Sequence, residues 1–147
     1  MMAFKPWVGS PTVPALEYVA DASTLFTTGY LGYRDTTTGE IKEATTTVGD
    51  ATNIECIIAE TKTTAASNPL IRGYNIIPGQ LYVADCTNVT AADQLNKAHL
   101  LTNGGTVNNT SSHSTDINAI FIALRILGAT TDKKLVGYIA KVGQVTA

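Results

Sequence analysis

Ile117-Asn118-Ala119-Ile120-Phe121-Ile122-Ala123-Leu124-Arg125-Ile126-Leu127 is the stretch on which the fold turns. Read in twos, it sets Ile120, Ile122, Leu124 and Ile126 against Ala119, Phe121, Ala123 and Arg125, which is the period of a strand. Gly128 to Lys134 reads as a turn and Leu135 to Val142 as a returning strand, so the sequence closes on a β-hairpin.

Working back from that hairpin, Asn103 to Asp116 is a polar loop of Asn, Thr, Ser and Gly with one His. Before it, Thr90 to Leu101 predicts the single helix of the chain. Thr90 would be its N-cap, Asp93 would sit three residues on, and Leu95, Ala98 and Leu101 would face the core until Gly104-Gly105 ended it. Ile76-Ile77-Pro78-Gly79-Gln80-Leu81-Tyr82-Val83 places Pro then Gly at the two central positions of a type II turn. The second of these needs φ > 0, and apolar residues on both sides predict two strands meeting there. Thr61 to Asn68 is a small, polar loop. Thr52 to Glu60 is a further strand, with Ile54, Cys56 and Ile58 on one face and Asn53, Glu55 and Ile57 on the other. Phe26 to Arg34, the turn Asp35-Thr36-Thr37-Thr38-Gly39 and Glu40 to Glu43 together read as another hairpin.

The first twenty residues differ from the rest. They hold Pro6, Pro11 and Pro14, three of the five prolines, interleaved with Trp7, Val8, Val13 and Leu16. Proline excludes a helix or a central strand. Residues 1–20 are therefore expected as an extended arm, either anchoring on another chain or packed on their own domain, and residues 21–147 as one β-rich domain.

Composition agrees with one globular domain. The 147 residues are 44% hydrophobic and only 15% charged. Threonine occurs 23 times, and its branched side chain suits a pleated surface. The net charge of −2 and the scattered cations, with Lys133-Lys134 the only adjacent pair, give phosphates nothing to condense on, so nucleic acid is not an expected partner. No apolar run spans a bilayer, and Met1 to Trp7 lacks a signal-peptide core, so synthesis in the cytosol is expected. Cys56 and Cys86 then read as small buried apolar side chains, with a disulfide as the alternative if the protein ends outside the cell.

Chemistry is sparse in the sequence. Cys56, Cys86, His99 and His113 lie too far apart for a zinc knuckle, and neither a nucleophile elbow nor a phosphate loop is present. Asp85 and Asp93, the carboxylates one would test for glycoside cleavage, are explained by turn and cap roles. The three Asn-x-Ser/Thr triplets, at Asn88, Asn108 and Asn109, carry no glycosylation meaning without secretion. The expectation is a protein that is not an enzyme and takes no metal, cofactor or small-molecule substrate.

The arm, the Pro78-Gly79-Gln80-Leu81-Tyr82 turn, the Asp93-Gln94-Leu95-Asn96-Lys97 segment and the closing hairpin together resemble the small head decoration (cement) proteins of tailed bacteriophages. The likeness is one of pattern and composition, from about Phe26 onward. It implies a mainly β body, a small β-barrel or β-tulip with one short helix, assembled as a homotrimer on the outside of the capsid. There it would bind the major capsid protein and clamp neighbouring copies. On that reading Phe4, Trp7, Val8, Val13 and Leu16 are the capsid-binding residues, ordered when the arm adds to a strand edge of the capsid. The alternatives are another virion component (tail, neck or fibre) and a carbohydrate-binding β module. The module would need exposed aromatics over a groove, whereas Tyr18, Tyr30, Tyr33, Tyr74, Tyr82 and Tyr138 are expected in the core and in trimer contacts.

Overall fold

Alternation and turns produce thirteen short strands in the computed structural model, which describes residues 4–7, 13–45, 54–109 and 119–140. They are β1 (Phe4–Pro6), β2 (Ala15–Val19), β3 (Leu25–Phe26), β4 (Leu31–Arg34), β5 (Ile41–Glu43), β6 (Ile54–Ile58), β7 (Lys62–Thr63), β8 (Leu70–Asn75), β9 (Tyr82–Cys86), β10 (Ala98–Asn103), β11 (Thr106–Asn108), β12 (Phe121–Ile126) and β13 (Lys134–Ile139).

The closing hairpin is present: β12 and β13 pair antiparallel, from Phe121 opposite Ile139 to Ile126 opposite Leu135. β13 also pairs with β9, β9 with β11, β11 with β10, and β10 with β12, which closes a five-strand barrel. Alternate residues fill it: Ala84, Cys86, Leu101, Val107, Phe121, Ala123, Leu135 and Ile139 belong to one buried cluster. β12 and β13 approach closely at Gly137, where an added Cβ would collide with the Ile122 carbonyl oxygen, so only glycine fits there.

The second sheet runs β2-β8-β6-β4-β5. Its hairpin of β4 and β5 has the expected turn. The Asp35 carboxylate accepts from the N–H groups of Thr37 (2.7 Å) and Thr38 (3.2 Å), and Gly39 takes φ +75°. A parallel bridge between Ala20 and Ile41 bends the end of β2 round to β5. Inside the curl lie Ala20, Phe26, Ile41, Cys56, Ile58 and Ile71. The Pro78-Gly79 turn forms as expected, with the Gln80 N–H donating to the Ile77 carbonyl at 3.1 Å and Gly79 at φ +80°. The strands it joins, β8 and β9, belong to different sheets, so this turn is the crossover between the two halves.

Three expectations are corrected. The helix over Thr90–Leu101 shrinks to a 3-10 turn at Ala92–Gln94, followed by β10. Its apolar spacing also fits a strand, and tertiary pairing decided between the two. Asn96 takes φ +59°, its N–H donates to the Ala123 carbonyl, and His99 and Leu101 alternate inward. Thr90 is buried against the Thr130 carbonyl instead of capping, and Gln94 Oε1 accepts from the Ala91 N–H. The strand Thr52–Glu60 is present as β6, but Ile54 does not share a face with Cys56 and Ile58. Gly32 lies opposite Cys56 while Tyr33 lies opposite Ile54, so Glu55 is a bulge that turns Ile54 over to join Ile57 in the barrel-side core.

The arm over residues 1–20 is, in its described residues, part of both sheets. β1 pairs with β9 and β2 with β8. Proline is tolerated in β1 by alternation. Trp7 N–H donates towards β9, to the Leu81 carbonyl, whereas Phe4 N–H donates to the other side, to Gly29. Pro6 shares the parity of Phe4, so its nitrogen points away from β9.

Candidate functional site

Phe4, the first of the expected anchors, is fully buried. Its ring meets Phe121 edge-on, with centroids 6.0 Å apart and planes at 64°, so it belongs to the core and has no free surface to offer a partner. Trp7 is half-buried, and the Arg125 guanidinium lies 5.0 Å from its ring centroid. The β12 bulge between Ala123 and Arg125 accompanies that placement of Arg125 and leaves Leu124 exposed. Val8 lies outside the described residues. Val13 and Leu16 remain, and these two reach a surface feature.

That feature is built on β2. Its partner β8 lies on one side, from Ala15 opposite Tyr74 to Val19 opposite Leu70. Ala20 N–H donates to the Pro69 carbonyl on that side, whereas Asp21 N–H turns the other way, to Ile41. Antiparallel bonding alternates along a strand, so the N–H groups of Glu17 and Val19 point away from β8. Among the described residues, β2 has no strand partner on that side beyond the bridge at Ala20. Leu16 shares its face with Tyr18, which packs on the small core, yet Leu16 is 48% exposed; Val19, on the opposite face, is 56% exposed. Leucine and valine left out of a sheet core at an open edge are the ingredients of strand addition.

Beside the start of β2 is a cavity of about 380 Å³, lined by Val13, Tyr74, Ile57, Pro6 and Tyr82, with Lys5, Asn75 and Gln80 as its polar members. It lies where β1 of one sheet meets β8 of the other. Tyr82 is buried and its hydroxyl accepts from the Ile77 N–H at 3.3 Å, while Tyr74 is partly exposed. Tyr30 and Tyr33 pack on the barrel-side core and Tyr18 on the small one. Sequence reasoning missed Glu17 and Val19, and it placed Tyr74, which is 36% exposed, in the core and trimer contacts. The first two could have been found as the odd members of Ala15-Leu16-Glu17-Tyr18-Val19, had that run been read as a strand.

The side chains that carried chemical interest have structural occupations. Cys56 and Cys86 are free thiols, both buried and in different core clusters. Burial pushes each thiol up to about 12, and the neighbouring carboxylates of Glu55 and Asp85 add to the effect. His99 is fully buried with Nε2 at 2.8 Å from the Gln94 carbonyl oxygen. A carbonyl only accepts, so Nε2 carries the proton. The Asp85 carboxylate takes the ammonium of Lys134 on β13, and Asp93 sits exposed in the first turn of the 3-10 segment. His113 lies outside the described residues. Arg34 bridges Glu55 at 2.9 Å near the Tyr18 hydroxyl, whose pKa burial raises to about 12.

Compared with protein-family models and with curated proteins, the sequence matches none of either.

Proposed function

We propose that this chain is a non-catalytic structural protein of a virion, a decoration protein that binds the major capsid protein on the outer surface of a phage head as a homotrimer. The observation that carries the binding reading is the β2 edge, where outward N–H groups and the exposed Leu16 and Val19 stand ready for a protein partner. The assignment of that partner to a capsid rests on the sequence resemblance. Capsid contact moves accordingly from Phe4 and Trp7, which the core and Arg125 occupy, to Val13, Leu16 and their neighbours on β2.

Copy number in purified particles tests the proposal. A decoration protein approaches the abundance of the shell protein and is released as trimers by light scattering. A few copies per particle would make it a tail, neck or fibre component, and absence from particles would overturn the virion reading.

A further inference from the structure

An edge strand and an apolar cavity adjoin each other on this molecule, and strand-addition sites use those two parts together: backbone pairing supplies affinity and a pocket supplies side-chain selectivity. Odd residues of β2 face outward from the small core. Ala15 lies opposite Tyr74 in the ladder, Tyr74 lies opposite Ile57, and Val13 continues the same parity upstream. Val13, Tyr74 and Ile57 all line the cavity. The small Ala15 side chain therefore separates the open edge from the cavity, and a large side chain on an incoming strand can reach across it. Two residues further along the same face stands Glu17, exposed and one step from Val19 on the outward row.

We propose that the β2 edge and this cavity form one acceptor for an extended segment of another protein, added antiparallel to β2. The segment carries a basic residue opposite Glu17 and, two residues later, a large apolar or aromatic residue opposite Ala15 that enters the cavity. Between them an apolar residue covers Leu16. The inference rests on the protein-binding reading above and names the chemistry of the partner. A basic partner residue complements Glu17, and a second copy supplies none in the register of fullest overlap. The register in which two β2 strands overlap fully puts Glu17 against Glu17, which is unfavourable for directly opposed residues. Shifting towards the C-terminal end puts Ala15 against Asp21, whose N–H is already taken by Ile41. At about 380 Å³ the cavity is at the lower end of ligand pockets and has room for a large aromatic side chain.

The test uses the full chain and the synthetic peptide Ser-Thr-Val-Lys-Val-Phe-Ser, with one twin in which Lys is Glu and another in which Phe is Ala, read by fluorescence anisotropy. Binding of the parent peptide is expected, at least ten-fold weaker for each twin. Glu17→Lys should reverse the preference between the Lys and Glu peptides. Glu17→Pro removes an outward N–H without touching the β8 ladder, and should abolish binding while the melting curve persists. Absence of binding by the unaltered chain, equal binding of Lys and Glu twins, or binding unaffected by Glu17→Pro would overturn the inference. So would a self-associated chain that Glu17→Pro dissociates, since β2 would then serve a second copy. Particle copy number is read separately: a chain abundant on particles that ignores the peptides loses this inference and keeps the functional reading.

Discussion

The two halves of the molecule solve the strand-edge problem differently. In the C-terminal half, β9, β11, β10, β12 and β13 pair in a complete ring, and the part of β9 that β11 does not reach is covered by β1. In the N-terminal half, among the described residues, the ends of the sheet β2-β8-β6-β4-β5 are joined only by the Ala20–Ile41 bridge. A closed ring has no edge to offer, whereas a sheet held shut at one point keeps an acceptor strand. The lesson is that stability and interaction are separated in space. The larger core joins the barrel strands to Leu31, Ile54 and Ile57 of the second sheet, and the incompletely closed half carries the open edge a partner can use.

Truncating Phe4 is the hardest test of that separation, because Phe4 belongs to β1 yet fills the barrel-side core. Phe4→Ala should cost about 3–5 kcal/mol in urea unfolding, as a fully buried aromatic does. A cost below about 1 kcal/mol would return the N-terminal residues to the status of a free arm. Gly137→Ala should cost about 3 kcal/mol, since the added methyl meets the Ile122 carbonyl and the ring cannot open locally.

A proline scan along β2 sharpens the comparison residue by residue. Tyr18→Pro removes a ladder bond to β8 and should cost about 3 kcal/mol, whereas Glu17→Pro, one residue earlier, should cost no more than about 1 kcal/mol because its N–H faces the open side. Equal costs would show that β2 is paired on both sides. For a chain of this size each kcal/mol moves the melting temperature by about 2–4 °C.

The smallest effect is in pH. Cys56 and Cys86 have one thiol in each core cluster, with pKa values raised in the folded state to about 12 from an ordinary 9.0. A raised acid binds its proton more tightly when folded. The stability it contributes is therefore complete below pH 9 and lost progressively as pH rises towards 12. Urea unfolding from pH 8 to 11 should show that decline, and Cys56→Ala with Cys86→Ala should flatten part of it, with Tyr18 and Tyr82, whose hydroxyl pKa values burial also raises, contributing to the rest. In the same range the native thiols should react with a disulfide reagent far more slowly than those of the unfolded chain.

By itself the sequence determined the class of structure and most of the local elements. The 119–127 and 135–142 alternation made the closing hairpin, Asp35 to Gly39 made a turn, and Pro78-Gly79 could hardly do anything else, since their conformations depend on residues close in the chain. Tertiary structure decided everything that depended on a distant partner. Thr90 to Leu101 carries a spacing compatible with helix and strand, and pairing with β12 and β11 selected the strand. The bulges at Glu55 and Leu124 reversed which side chains face the core, because one extra residue flips every later position and no local signal marks where the partner strand falls out of step. Phe4 to Pro6 looked like an arm because proline forbids a central strand, but it leaves an edge position open when its nitrogen points away. Only the placement of β9 and Gly29 shows which way that nitrogen points. The acceptor at β2 was hidden for the same reason: whether a strand has a second neighbour is a property of the whole sheet.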